Sequence, residues 1–578
     1  MRYTDKITQK KYLIIAGLAL TGFILIIGRL WYLQIHHYQR FASLGTKNFT
    51  RIEAVIPLRG NILDCNNELL ATNKPQTSLM WHGTGNAKLS EQQEQTLARI
   101  EHILDGTGHK LLSSMGQIKS AEKFSRIIPL TGHLELEYLS KILEQCPDSK
   151  NIEIKTNFER YYPFGTIACH ALGYLSDMGS HTFAGKMGLE QLFEQDLKGE
   201  HGQIAHIINS FGSRVEQQEV VSSSAGQNLV TTLDITLQKI AEECMPEKEA
   251  GLFLLMNPQL GDIKTLVSRP CFDPSLFLKP IDHQTWKNLL IQKPFLNRVF
   301  NATYPPASLF KLITIAAALE KGLVTPDSSF FCCGYCNFKN RKYYCNNRTG
   351  HGRLNLQEAL ARSCNIPPFH IAQHISINTL ADYAHRFGLG TKATDLFPEK
   401  LGIIPSTEWK KSYNGQHWWA GETLSAAIGQ SFLLVTPIQI ARMIGGIFEG
   451  YLIKPRILQS QEIEKTPLNI QTQTRIFLQD SMQAAVKIGS AQRMNRMKDL
   501  ILHVKTGTGQ VASWEKKEEG RKEDQCHAWC AGYFKYQDEE PMIMVILIEH
   551  AGSSSVATQV AKEFLVKYIK QCKNKKSS

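Results

Sequence analysis

An α+β protein carried on one N-terminal membrane-length helix is the architecture this sequence predicts, and three observations predict it. Residues 12–28, YLIIAGLALTGFILIIG, carry no charge. With LWYLQI after Arg29, the apolar run reaches the ~20 residues a bilayer requires. From Asp234 the pattern becomes helix, strand, turn, strand (ITLQKIAEEC, AGLFLLMN, PQLGD, IKTLVS), the opening of a sheet domain. Near the end, HAWCAGYFKYQ and MIMVILIEH flank DEEP as an antiparallel hairpin, and VATQVAKEFLVKYIKQ closes the chain as a helix. The domain expected there is an antiparallel sheet flanked by helices.

A chain of 578 residues suits two or three domains. Arg2, Lys6, Lys10 and Lys11 precede the apolar run. The positive-inside rule therefore leaves residues 1–11 as a cytoplasmic tail and exports the chain beyond the 12–35 helix. Trp31 and Tyr32 suit the far interface. The competing reading is a cleaved signal peptide, although no clear A-x-A site comes after the run. Residues 36–60 read as polar and helix-like, and RIEAVIPLRGNILDCNNELLATN begins a strand-rich region. EQQEQTLARIEHIL and HLELEYLSKILEQ are amphipathic at helical spacing. Strands and turns, GQIAHIINSFGS among them, continue to about 232. SSSAGQ at 222–227 marks a boundary between a 36–222 domain and a 223–578 domain. Helices are expected around 308–321, 354–364 and 436–449.

Composition removes several classes. There are 65 basic and 53 acidic residues, a net charge of +12, and no dense Arg/Lys–aromatic stripe, so nucleic acid is not an expected partner. With 41 Gly and 22 Pro the chain is neither collagen-like nor broadly disordered. Thirteen Cys spread over this length do not make a small disulfide scaffold.

Three short motifs carry chemistry. Ser308-Leu309-Phe310-Lys311 comes after Tyr304-Pro305-Pro306-Ala307, which places Ser308 in the first turn of a helix and Lys311 on the same face at i+3. A serine hydroxyl needs a base to become a nucleophile, and a buried lysine is one. Ser363-Cys364-Asn365 ends a helix-like stretch, where a hydroxyl and an amide can relay a proton and hold a substrate amide. Lys505-Thr506-Gly507-Thr508-Gly509-Gln510 continues the apolar ILHV as a strand. There Gly507 leaves room for a substrate backbone, and Lys505, Thr506 and Thr508 suit a carboxylate. The N–H groups of Ser308 and Thr508 are a candidate oxyanion hole. Each motif alone also reads as an ordinary capped helix, helix end or strand. Together, S-x-x-K, S-x-N and K-T-G in that order form the set of penicillin-binding proteins and class A β-lactamases.

On these motifs the chain resembles the class B penicillin-binding proteins, membrane-anchored peptidoglycan D,D-transpeptidases. Arg59-Gly60-Asn61-Ile62-Leu63-Asp64, Arg160-Tyr161-Tyr162-Pro163 and Gly188-Leu189-Glu190 look like the signatures of that family's N-terminal module. The resemblance implies that 36–222 is an elongated mixed pedestal of the dimerisation type and that 223–578 is the transpeptidase domain. It departs at Cys65 and Asn67, where the family usually has Arg and Gly, and at Ala307 and Ser431, where it usually has Gly. Glu408-Trp409-Lys410, Trp419-Ala420-Gly421-Glu422-Thr423 and Thr436-Pro437-Ile438-Gln439 look like the elongation-type group; Asn365, where that group often has Asp, looks less so.

The implied activity is a serine-type D,D-transpeptidase of the D-Ala-D-Ala carboxypeptidase class. Ser308 is its nucleophile, Lys311 its base, Ser363, Asn365 and Lys505 assist, and Thr506, Gly507 and Thr508 bind substrate. The implied role is lateral wall elongation and cell-shape maintenance. The alternatives are a division-type, septal transpeptidase or a catalytically weak β-lactam-binding scaffold. Implied partners are stem peptides, β-lactams, the cytoplasmic membrane, a glycosyltransferase of the shape-elongation-division-sporulation (SEDS) type and rod-complex scaffolds. The implied location is a single-pass inner-membrane protein with a periplasmic catalytic domain.

Phe331-Cys332-Cys333-Gly334-Tyr335-Cys336, Cys345, His351 and Cys364 crowd five Cys and a His into the 331–364 insert. The elongation-type resemblance implies a structural zinc held by Cys332, Cys345, His351 and Cys364, with Cys333 an alternative to Cys332. The competing reading is a disulfide, Cys333–Cys336 or Cys336–Cys345.

Overall fold

The computed structural model describes residues 2–105, 110–147, 151–177, 183–208, 214–495, 497, 499–511 and 522–577. It is α+β, as expected. The N-terminal helix Arg2–Trp31 continues through one wider turn, Tyr32–His36. Its stretch Lys10–His36 is long and apolar enough to cross a membrane.

By its contacts the chain divides into two compact units, and segments from before residue 222 join the larger one. One unit holds residues 1–58, 73–159 and 199–226; the other holds 59–72, 160–198 and 227–578. The family-signature segments explain the exchange. In the larger unit Glu190, fully buried, accepts 2.7 Å bonds from Nε of Arg59 and of Arg160. It also accepts from the Tyr162 hydroxyl at 3.3 Å. Arg160 donates to the Gly60 carbonyl, and Arg59 reaches Glu194 at 2.6 Å. Asp64, with no exposure, accepts from the Asn66, Glu68 and Ile235 amides at 2.7, 2.9 and 3.1 Å. Buried charges demand partners, and these partners lie in the larger unit, so 59–72 and 160–198 fold with it.

The smaller unit pairs strands Thr50–Val55, Gly202–Ile208 and Arg214–Val221. The expected strand through GQIAHIINSFGS runs on into 209–213, which lie outside the described residues. Helices Glu91–Leu104 and Met115–Lys123 begin with reciprocal caps, Ser90 with Gln93 and Ser114 with Gln117. They bury Leu97, Ile100 and Ile118 with Leu79 and Trp81.

The larger unit is built on a five-stranded sheet. Its order is Ile263–Arg269, Gly251–Met256, Met542–Ile548, His527–Tyr536, Leu500–Gly509, antiparallel throughout. Period-two alternation sends Leu252, Leu254 and Met256 into one core and Phe253 and Leu255 into the other. The second core takes in helices Ile235–Cys244 and Ser554–Ser577. The first takes in Lys311–Glu320 and Pro437–Glu449. With both faces covered, every residue of Gly251–Met256 and of Met542–Ile548 is buried. Leu500–Gly509 stands at the sheet edge.

Candidate active site

The three motifs converge beside that edge strand. Pro305 and Pro306 lead into a single 3₁₀ turn, Ala307–Leu309, and the α-helix begins at Lys311. Ser308 thus stands one turn earlier than expected. The reason is Ala307, whose φ of +50° is left-handed and cannot open an α-helix. Its N–H donates to the Gly429 carbonyl at 2.9 Å, and a Cβ at Gly429 would come within 2.0 Å of the Ala307 oxygen. Trp529 Nε1 ties the Pro305 carbonyl to the sheet at 3.0 Å. Ser308 remains half-buried, while Lys311 is fully buried at i+3.

Ser363, also left-handed at φ +57°, turns the chain after helix Leu356–Ala361. Its hydroxyl accepts from Lys311 Nζ at 3.3 Å and from Lys505 Nζ at 2.9 Å. Lys311 further donates to the Ser363 carbonyl at 2.7 Å and to Asn365 Oδ1 at 2.6 Å; Ser308 is not among its hydrogen-bond partners. Both lysines are fully buried and neither has a carboxylate partner among the described residues. Burial lowers Lys311 to about 8, against an opposing pull from Cys364 and Cys345. Lys505 falls well below the usual lysine range, through burial first and the Lys311 charge second. Desolvation disfavours the ammonium form, so a lysine of this cluster can accept a proton more readily than a solvated one.

On the edge strand, Thr506 is buried and donates its hydroxyl to Ser490 Oγ at 2.6 Å. Its proton therefore serves the wall of the site, whereas Thr508 is exposed. Gly507 lies close beside the Ser308 turn: a Cβ there would stand 3.3 Å from Trp529 Cβ and 3.4 Å from Ala307 Cβ. Gln430 buttresses the strand end by donating to the Thr508 carbonyl at 3.2 Å and accepting from the Gln510 amide. Sequence reasoning assigned no role to Ser490 or Gln430. Gln430 had a signal in its Ile428-Gly429-Gln430-Ser431 setting, while Ser490 comes just after a helix end with nothing to mark it.

The ligand atoms of Cys332, Cys345, His351 and Cys364 all lie within 4.8 Å of one another. Cys345 Sγ is 3.7 Å from Cys364 Sγ, and His351 Nδ1 is 3.5 Å from Cys332 and 3.6 Å from Cys345. A tetrahedral zinc with Zn–S of about 2.3 Å sets its sulfurs about 3.8 Å apart, so this donor set fits zinc. Cys333 is exposed and turned to the Tyr335 carbonyl, outside the set. None of the insert's five cysteines forms a disulfide. The cluster meets the active site directly: the Asn365 N–H donates to Cys345 Sγ at 3.5 Å and its side-chain amide to the Tyr344 carbonyl at 3.0 Å.

Comparison with known proteins matches residues 251–566 to the penicillin binding protein transpeptidase domain and residues 54–231 to the penicillin-binding protein dimerisation domain. The chain belongs to the penicillin-binding protein transpeptidase family, and the dimerisation module makes it a class B member. Within that class it falls with the elongation-type penicillin-binding protein 2 group. It is 29% identical to the peptidoglycan D,D-transpeptidase MrdA of Acinetobacter baumannii, over 74% of this chain and 65% of that protein's length. It resembles penicillin-binding protein 2 solved in complex with MreC from Helicobacter pylori (TM-score 0.74, 26% identity, 90% of this chain and 99% of that one). It also resembles a chain of a peptidoglycan synthase complex (TM-score 0.74, 26% identity, 97% of this chain and 98% of that one).

Proposed function

We propose that the protein is a peptidoglycan D,D-transpeptidase of lateral wall elongation. The observation that carries this is the Ser363 hydroxyl bridging two buried lysines, one of them three residues from Ser308 and the other on the neighbouring edge strand. Lys311 in its neutral form takes the Ser308 proton as Oγ attacks the penultimate D-Ala carbonyl of a stem peptide. The N–H groups of Ser308 and Thr508 receive the developing oxyanion. The carbon–nitrogen bond breaks, the departing D-Ala amine takes a proton through Lys311 and Ser363, and an ester remains on Ser308. An amine of a second stem peptide attacks that ester, its proton returns to Ser308, and the cross-link forms. With water as acceptor the same steps make a D-Ala-D-Ala carboxypeptidase. Lys505 and Thr508 hold the donor's terminal carboxylate beside Gly507. β-Lactams take the first half of this path and stop at the ester.

The Cys3His set would hold zinc as a closed structural site, fixing Cys364 between Ser363 and Asn365. The apolar helix Lys10–His36 would anchor the chain in the inner membrane with both folded units in the periplasm. A partner of the MreC kind fits the complex in which one similar protein was solved, and a SEDS-type glycosyltransferase would supply the polymerization that the other similar structure's synthase complex couples to crosslinking. The test is labelling with fluorescent penicillin and mapping of the modified residue. Ser308 should carry the adduct and Ser308→Ala should abolish it; labelling that persists in Ser308→Ala overturns the nucleophile assignment.

A further inference from the structure

A net charge of +12 spread over the chain hides a local concentration. Residues 328–357 contain Lys339, Arg341, Lys342, Arg348 and Arg353 and not one Asp or Glu. Their centre is a hairpin, Tyr335–Phe338 paired with Arg341–Tyr344, with Lys339 in the left-handed region at its two-residue turn. Opposed residues share a face. Cys336, Phe338 and Tyr343 point inward: Tyr343 packs its ring 5.7 Å from Phe369 and donates to the Gly421 carbonyl at 3.3 Å. Tyr335, Lys342 and Tyr344 face outward. There Lys342 Nζ sits 4.7 Å above the Tyr335 ring, Arg348 lies 4.3 Å above Tyr344, and the two rings are 6.5 Å apart. Lys342 has no carboxylate partner among the described residues. Two cations seated on ring faces are oriented before any ligand arrives, and their N–H donors suit carboxylates.

The position of this face bears on its use. The Tyr344 carbonyl is bonded to the Asn365 side chain, whose other end is bonded to Lys311. The row of cations and tyrosines therefore starts two hydrogen bonds from the base. We propose that this outward face docks the carboxylate-bearing peptide of the acceptor strand as it brings its amine to the Ser308 ester. The inference rests on the transpeptidase reading. The donor peptide lies along Leu500–Gly509, and the hairpin stands on the Asn365 side of the cleft. Charge complementarity selects the occupant: an uncleaved stem peptide ends in a carboxylate, which suits the cations Lys342 and Arg348 seated on the Tyr335 and Tyr344 rings of this face.

The test uses the full chain, with Lys342→Glu/Arg348→Glu and the milder Lys342→Gln. Two rates are measured: acylation by fluorescent penicillin, which needs no acceptor, and transfer to an amine-bearing acidic peptide or to the same peptide with its carboxylates amidated. The expected result is an unchanged acylation rate and a KM for the acidic acceptor raised roughly ten-fold by the double reversal, at little-changed kcat. The amidated acceptor should not distinguish variant from parent, and raised salt should narrow the gap. Equal KM values for both proteins overturn the proposal. So does an acylation rate that falls in step with transfer, which makes the hairpin a support for Asn365 instead. Loss of binding to anionic lipid vesicles without a change in KM assigns the face to the membrane and also overturns it. Should the double variant not fold, Lys342→Gln carries the same comparison at a smaller shift. A parent protein that no penicillin labels would remove the transpeptidase reading itself.

Discussion

Replacing Glu190 by Ala should be among the most damaging single changes outside the catalytic residues. The carboxylate is fully buried and serves two guanidiniums, of which Arg160 has 1% side-chain exposure and no other carboxylate among the described residues. Removing one partner of a buried pair typically costs about 3–5 kcal/mol, because a charge is left desolvated and unpaired. The unit that holds this network has roughly 400 residues, and at about 2.1 cal/mol/K per residue its unfolding entropy is near 0.85 kcal/mol/K. The loss then amounts to a fall in Tm of roughly 4–6 °C. Arg59 keeps Glu194, whose side chain is 24% exposed, so Glu194→Ala should lower Tm by only about 1 °C. Differential scanning calorimetry on the two variants and the parent decides the matter. A Glu190→Ala protein no less stable than Glu194→Ala would refute the idea that the three signature segments are held by buried charge.

The active-site geometry leads to further outcomes. Lys311→Arg should slow penicillin acylation by about 10²–10⁴-fold in stopped-flow labelling, since guanidinium does not release its proton at working pH. In the parent, the acylation rate should rise with pH and level off above about 8: below that value Lys311 is protonated and unable to accept the Ser308 proton, and a rate falling between pH 6 and 8 contradicts its role. Ala307→Gly should raise stability by about 1 kcal/mol in a denaturant titration, because glycine adopts φ +50° without the Cβ clash. Elemental analysis should find about one zinc per chain, and His351→Ala should lose the metal and expose reactive thiols at Cys345 and Cys364. A metal-free parent with full acylation ends the zinc reading.

Much of this architecture was legible because its signals are local. Helix 235–244, the strands from Gly251 and Ile263 and the terminal hairpin announce themselves by period and by turn residues. The S-x-x-K, S-x-N and K-T-G groups were legible because each spacing is short. What escaped depends on distant contacts. Gly188-Leu189-Glu190 stands out in sequence as a signature, but its pairing with Arg59 and Arg160, which draws 59–72 and 160–198 into the larger unit, spans separations of 131 and 30 positions. Thr506 reads in sequence as a substrate ligand, and no local signal shows that Ser490, sixteen positions earlier, accepts its hydroxyl. Asn67, Ala307 and Ser431 looked like idiosyncratic replacements of glycine. Their φ values of +66°, +50° and +70° show that the backbone kept the glycine conformation when the residue changed. Asparagine bears that conformation best, and alanine and serine bear it at some cost.

The sheet also sets a timetable for biogenesis. Gly251–Met256 finds one neighbour within a few residues, but its other neighbour is Met542–Ile548, about 290 residues downstream. At synthesis rates of about 5–20 residues per second, the strand waits roughly 15–60 s with one hydrogen-bonding edge open. Every residue in it is destined for burial. Such a delay is an invitation to misassociation, and domains dominated by long-range pairing are slow to fold even after release. Chain emergence therefore outruns tertiary closure for most of this protein's synthesis. A holdase that shields apolar strands until the chain is complete should raise the yield of penicillin-reactive protein more than a faster ribosome would.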